Sequence, residues 1–199
     1  MIYRIFLIVL IPFAYYSCLK NNIKEKTENN MLQSNEVKEI FEPDIHINNL
    51  ELVNPESIIK NIGNLKSDVV EDENLPHVTF FNNDKTQKLQ LILFPGSGYN
   101  DVYQFKIEYN TTSILNNINI LKDSLFISES GITLGITKSK LIEIKGKGYI
   151  RNEDDIVQYQ ITESESPQFL KKFNLPLYYA KYVFVEDKLD KFEFGFEYP

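Results

Sequence analysis

Hydrophobic and polar residues follow three textures along the chain. Residues 5–16, IFLIVLIPFAYY, are an unbroken apolar run, and residues 19 to about 42 are mostly polar, rich in Asn, Lys and Glu. Beyond them, apolar positions recur with two periods. Tyr103, Phe105, Ile107 and Tyr109 alternate with Gln104, Lys106 and Glu108. Phe192, Phe194, Phe196 and Tyr198 alternate with Lys191, Glu193 and Glu197. A period of two turns one set towards a core and the other towards water, so each stretch predicts a half-buried strand. KLQLILFPGSGYNDVYQFKIEY and YYAKYVFVEDKLDKFEFGFEY each predict a hairpin. His77–Phe81 and Ile156–Ile161 predict two more strands, the latter through Val157, Tyr159 and Ile161 alternating with Gln158 and Gln160.

Helices are marked by their ends. In NPESIIKNIG, Asn54 is a good N-cap, Pro55 suits the first turn and Gly63 suits the stop. In TKSKLIEIKG, Thr137 and Gly146 play the same parts. Ser166 and Pro167 open a third, short helix in ESESPQFLKKF. An offset of 83 residues lays Asn54 on Thr137, Ile59 on Ile142 and Gly63 on Gly146, and an offset of 89 lays Phe105 on Phe194. The pattern predicts an α+β fold of two similar helix-plus-antiparallel-sheet units, over 43–110 and 131–199, joined by a connector over 111–130. One helix on three strands buries little alone, so the two units are expected to pack together on a shared core or a continuous sheet.

The leader changes the picture. Arg4 precedes an apolar run of 12 residues, too short to span a bilayer and suited to the core of a secretory signal peptide. Ordinary signal-peptidase cleavage after Ser17 would put Tyr15 at the −3 position, which normally needs a small residue. The next residue, Cys18, is the only cysteine of the chain. It has no internal disulfide partner, and a free thiol is a liability in an oxidising compartment unless something consumes it. Ser17 followed by Cys18 resembles a bacterial lipoprotein signal, in the looser form found among the Bacteroidetes. That resemblance implies a signal peptide over 1–17, a diacylglycerol on the Cys18 sulfur, a fatty acyl chain such as palmitate on the new amino terminus, and a flexible tether over 18–42. Several acyl chains hold firmly, since each buried methylene contributes about 0.8 kcal/mol. In that group, surface-directed lipoproteins carry acidic residues just after the cysteine. Residues 19–24 hold none, so the resemblance favours the periplasmic face of the outer membrane over the cell surface.

Gly131, Ile132, Gly135, Thr137, Leu141 and Gly146 form a second pattern. Similar segments occur in the SmpA/OmlA lipoproteins and, in tandem, in the β-lactamase-inhibitor-like fold. The chain also resembles uncharacterised Bacteroidetes lipoproteins that end in a Tyr/Phe-rich hairpin. Turn glycines and a capping threonine explain the pattern without chemistry, and the resemblance implies protein–protein contact rather than catalysis.

Composition narrows the function further. The 199 residues carry a net charge of −7, and loss of the leader with Arg4 makes it −8. An acidic chain has no general attraction for nucleic acid. Only His46 and His77 are available as imidazoles, and their spacing fits no metal motif. A single cysteine excludes thiolate zinc sites. Ser97 in FPGSGYND lacks the spacing and helix of a nucleophile elbow, and Asp101 breaks a phosphate-binding glycine motif. The acidic runs Glu71-Asp72-Glu73 and Glu153-Asp154-Asp155 lack calcium-loop spacing. No catalytic, cofactor or metal residue is predicted, so the chain is expected not to be an enzyme. The expected function is a membrane-tethered lipoprotein that binds a protein partner in the cell envelope, with Tyr178, Tyr179 and Tyr182 as candidates for the binding face. The alternative is a small-ligand- or glycan-binding protein that uses the sheet.

Overall fold

The computed structural model describes residues 41–71, 75–112 and 118–197. The predicted signal peptide, Cys18, most of the tether and Tyr198 lie outside the described residues. The fold is α+β, with three helices and a large, mostly antiparallel sheet.

Each helix begins and ends where its chemistry dictates. In α1 (Pro55–Ile62), Asn54 accepts the Ser57 N–H at 3.1 Å and Gly63 closes the last turn at φ +88°. In α2 (Lys138–Lys145), Thr137 accepts the Lys140 N–H at 3.2 Å and Gly146 closes at φ +75°. The third helix, α3 (Pro167–Phe173), starts at a proline and stops at Asn174 in the left-handed region.

The strands are β1 (His46–Ile47), β2 (Leu50–Glu51), β3 (His77–Phe81), β4 (Gln87–Leu93), β5 (Val102–Tyr109), β6 (Asn119–Ile120), β7 (Arg151–Asn152), β8 (Ile156–Thr162), β9 (Leu177–Val185) and β10 (Lys188–Phe196). β1 and β2 form a small separate hairpin. The other eight form one sheet in the order β6-β3-β4-β5-β10-β9-β8-β7, antiparallel except for the β6–β3 pair. Its centre is the β5–β10 seam, where Phe105 stands opposite Phe194.

One sheet face makes the core. Two rows cross it: Val78, Leu91, Phe105, Phe194, Ala180 and Tyr159, then Phe80, Leu89, Ile107, Phe192, Tyr182 and Val157. All are buried, and Ile58 of α1, Leu141 of α2 and Leu170 of α3 join the same cluster. Each Val, Leu, Ile or Phe among them contributes about 1.5–3 kcal/mol through burial.

Two loop segments complete this core. Phe41, only 4 % exposed, stacks on Tyr159 with ring centroids 4.5 Å apart. Phe41 and Glu42, placed by the sequence pattern at the end of the tether, are thus part of the folded body. Next to them, Asp44 and Lys145 form an ion pair at 2.8 Å with side chains 2 % and 3 % exposed. The Tyr178 hydroxyl donates to the Asp44 carbonyl at 2.6 Å, and Lys145 donates to the Glu42 carbonyl at 2.9 Å. The residues just before α1 therefore pack against α2, β8 and β9. Conversely, the residues before α2 pack against the first strands. The buried Phe126 donates its N–H to Gln87 Oε1 at 3.0 Å, Ser124 O accepts from Asn82 Nδ2 at 2.8 Å, and Ser128 bridges to Ile47.

Candidate functional site

The opposite sheet face has a different chemistry. All three helices place their buried residues against the core face, and among the described residues no helix packs on the other side. Strand register sets three rows across it. The middle row reads Thr79, Gln90, Lys106, Glu193, Lys181, Gln158 and Arg151. One flanking row reads Phe81, Lys88, Glu108, Lys191, Val183 and Ile156. The other reads His77, Ile92, Gln104, Gly195, Tyr179 and Gln160.

Charges alternate at the centre of this face. Glu108 Oε1 lies 2.5 Å from Lys88 Nζ, while Oε2 lies 3.8 Å from Lys191 Nζ and 4.0 Å from Lys106 Nζ. These four side chains are between 21 % and 32 % exposed, so they are partly shielded yet open to a visitor. Burial alone would raise the Glu108 carboxyl, but the Lys88 hydrogen bond and the charges of Lys106, Lys88 and Lys191 outweigh it and hold it below the usual glutamate value. Lys106 is held below the usual lysine value, first by partial burial and then by Lys191, with Glu108 and Glu193 opposing. Next to the charges, the Tyr179 hydroxyl donates to Gln104 Oε1 at 3.2 Å, and Gln104 Nε2 donates to the Phe196 carbonyl at 2.9 Å. Burial pushes the Tyr179 phenol well up, so it stays a neutral donor.

The remaining sequence candidates are dispersed. Cys18 lies outside the described residues. His46 sits on β1, its Nδ1 2.5 Å from Glu129 Oε2 and its Nε2 3.8 Å from Glu51 Oε2. His77 stands on the open face, with Nδ1 3.1 Å from the Leu75 carbonyl. Among the described residues, neither ring bonds a serine hydroxyl. Ser97 Oγ donates to the Phe94 carbonyl at 2.8 Å inside the β4–β5 turn. Of the acidic runs, Glu71 is exposed, Asp72 and Glu73 lie outside the described residues, and Glu153 pairs with Arg151 beside the β7–β8 turn. Gly131 and Gly135 adopt φ +85°, as turn glycines should. Tyr178 and Tyr182 are corrected from the binding face to the core, where both are buried and burial raises their phenols far up. Only Tyr179 belongs to the open face. Residue type alone groups the three tyrosines, whereas β9 turns every second residue to one face and Tyr178 and Tyr182 share the core parity of Ala180.

A cleft of about 570 Å³ opens elsewhere, beneath the β1–β2 hairpin. Its floor is Phe80, Leu89 and Phe126, and Asn48, Asn49, Asn61 and Asn119 stand at its rim. The fold already uses several of those amides. Asn48 donates to the Leu125 carbonyl and accepts the Ile127 N–H, and Asn61 donates to the Asn49 and Ser57 carbonyls.

No family model, curated protein or solved structure matches this chain. Function therefore rests on the geometry itself. Among the described residues, no cluster of three or more His, Cys, Asp or Glu side chains could hold a metal ion. No helix among them is long and apolar enough to cross a membrane. The open face was missed as a charged site because its lysines come from four separate strands. The signal available in sequence was the polar parity of each strand: Lys88 and Gln90, Lys106 and Glu108, Lys181, then Lys191 and Glu193.

Proposed function

We propose that this protein is a non-catalytic lipoprotein of the cell envelope, anchored by acyl chains at Cys18, that recruits a protein partner through the open face of its sheet. The observation carrying the recruiting part is that face: eight strands wide, uncovered by any described helix, and set with partly shielded charges beside Tyr179. A broad face held rigid by strand pairing, with the aromatic Tyr179 beside central charges, offers a partner one aromatic contact and charges to complement. Anchoring is supported by the sequence alone, through the apolar leader and the lone cysteine after Ser17. The resemblance to lipoproteins of the Bacteroidetes favours the periplasmic side of the outer membrane.

The body is further read as two similar units. The offset of 89 residues that lays Phe105 on Phe194 is the offset of the pair facing each other at the β5–β10 seam. Strand order runs outward from that seam as β5-β4-β3 on one side and β10-β9-β8 on the other. The second reading, a small-ligand or glycan binder, is favoured by the cleft of about 570 Å³ under β1–β2 rather than by the sheet.

Metabolic labelling with a fatty-acid analogue tests the anchor. The wild type should take up label and fractionate with the outer membrane, whereas Cys18→Ala should do neither. Equal labelling of both removes the lipoprotein reading. Crosslinking in intact cells tests recruitment, which fails if no protein adduct forms. Binding of a glycan or small molecule that Asn119→Arg at the rim weakens would favour the cleft instead.

A further inference from the structure

The open face is positively charged in a negatively charged chain, and this narrows the partner. Lys88, Lys106, Lys181 and Lys191 stand on four adjacent strands against Glu108, Glu193 and, at the end of β10 beside Tyr179, Glu197, an excess of one positive charge where the chain as a whole carries −7. Glu108 is already engaged by three lysines. Each lysine ammonium has three donors, so these three retain donors for an incoming acceptor. Next to them lies a cleft of about 700 Å³ with Leu75, Ile92 and Pro95 as apolar wall and His77, Gln90, Lys106 and Glu193 as its polar lining. Partial burial, and after it the charge of Lys191, keeps Lys106 below its usual value, and a carboxylate brought beside it would favour its charged form.

We propose that the open face docks an acidic polypeptide surface, with carboxylates over Lys106, Lys181 and Lys191 and an adjoining apolar side chain against Leu75, Ile92 and Pro95. This rests on the recruiting function above and adds the partner's chemistry. A small excess of lysines interleaved with glutamates suits a discrete set of carboxylates. It does not suit the continuous phosphate array of nucleic acid or an anionic bilayer, which the chain's net charge also repels.

Photo-crosslinking residues placed at Gln90 and Gln158 on the open face, and at Glu56 and Lys140 on the helix side, test this in the full-length protein in its own cells. The open-face probes should give a discrete protein adduct, and the crosslinked partner segment, sequenced by mass spectrometry, should be rich in Asp and Glu. In the double variant Lys106→Glu/Lys181→Glu the yield should fall about tenfold or more, because like charges then meet across the contact. Thr79→Glu/Gln160→Glu, which leaves every lysine in place, should also lower the yield and guards against misfolding of the first variant. Thermal melts of both should stay close to wild type. A crosslinked segment that is basic or uncharged, or a yield unmoved by both charge variants, overturns the acidic-partner proposal while protein recruitment stands. Adducts only to lipid or nucleic acid, only from the helix side, or none at all, overturn both.

Discussion

Gly195 is where a single missing atom decides the seam of the sheet. It lies in β10 opposite Gln104 with φ +149°, and a Cβ there would stand 2.2 Å from the Tyr103 carbonyl oxygen and 2.6 Å from the Gln104 Cα. Both neighbours are backbone and cannot swing away. Gly195→Ala should therefore cost about 3 kcal/mol or more, from backbone strain and overpacking together. Gly131 makes the control: its φ is +85°, but a Cβ meets nothing within 4 Å. Gly131→Ala should cost only about 1 kcal/mol of strain, and urea denaturation of the two variants separates close approach from dihedral cost. Equal losses would refute the clash. The buried pair of Asp44 and Lys145 offers a second test at this scale. Removing one charge leaves the other inside the protein, with Ser130 still donating to Asp44 through its N–H at 3.0 Å and Oγ at 2.8 Å. Lys145→Met should destabilise by about 3–5 kcal/mol, and adding Asp44→Asn should recover part of that loss, since the orphan charge goes too. A double-mutant cycle in urea reads the recovery, and a double variant less stable than Lys145→Met alone would count against it.

At the scale of elements, the lysine–glutamate ladder links strand pairing to pH. Folded Glu108 lies below the ordinary glutamate value of 4.5. Between its folded value and 4.5 the unfolded chain binds more protons, so stability rises with pH across that window. The contribution is complete above 4.5 and is lost as pH falls through the folded value. Glu108→Gln should therefore lower stability at neutral pH, and its gap to wild type should shrink as pH falls below 4.5 and through the folded value. Chemical denaturation at several pH values checks this, and a gap independent of pH would rule it out. The same elements show what a sequence can reveal. The caps at Asn54, Thr137, Gly63 and Gly146 and the strands from His77 and Ile156 were legible, because capping and period-two alternation are local physics. β1, β2, β6 and β7 were not, since two residues cannot display a period and their existence depends on distant partners such as Ser128 for Ile47. The direction of Lys106 and Glu108 towards water was also legible. The surplus of lysines over that face was not, because it emerges only when β4, β5, β10 and β9 are laid in register.

Across the whole molecule, the crossing of the two pre-helical segments binds the halves together more than the sheet alone would. Phe41 fills a place against Tyr159 and Tyr178 in the second half, and Phe126 fills one beside Gln87 and Leu89 in the first. Nothing local announces Phe41 as core, for it follows a long polar stretch and its partners are more than a hundred residues away. Both rings join a single continuous cluster that runs through the Phe105–Phe194 pair. If that cluster makes the body one cooperative unit, a wound in one half must be felt in the other. Phe41→Ala removes a buried ring at a cost of about 3–5 kcal/mol. Native-state hydrogen exchange should then show the slowest amides of β4, which three strands separate from Phe41's neighbour β8, losing as much protection as those of β9. A loss confined to β8, β9 and β10 would mean that the halves open separately and that the β5–β10 seam is a junction between two folding units.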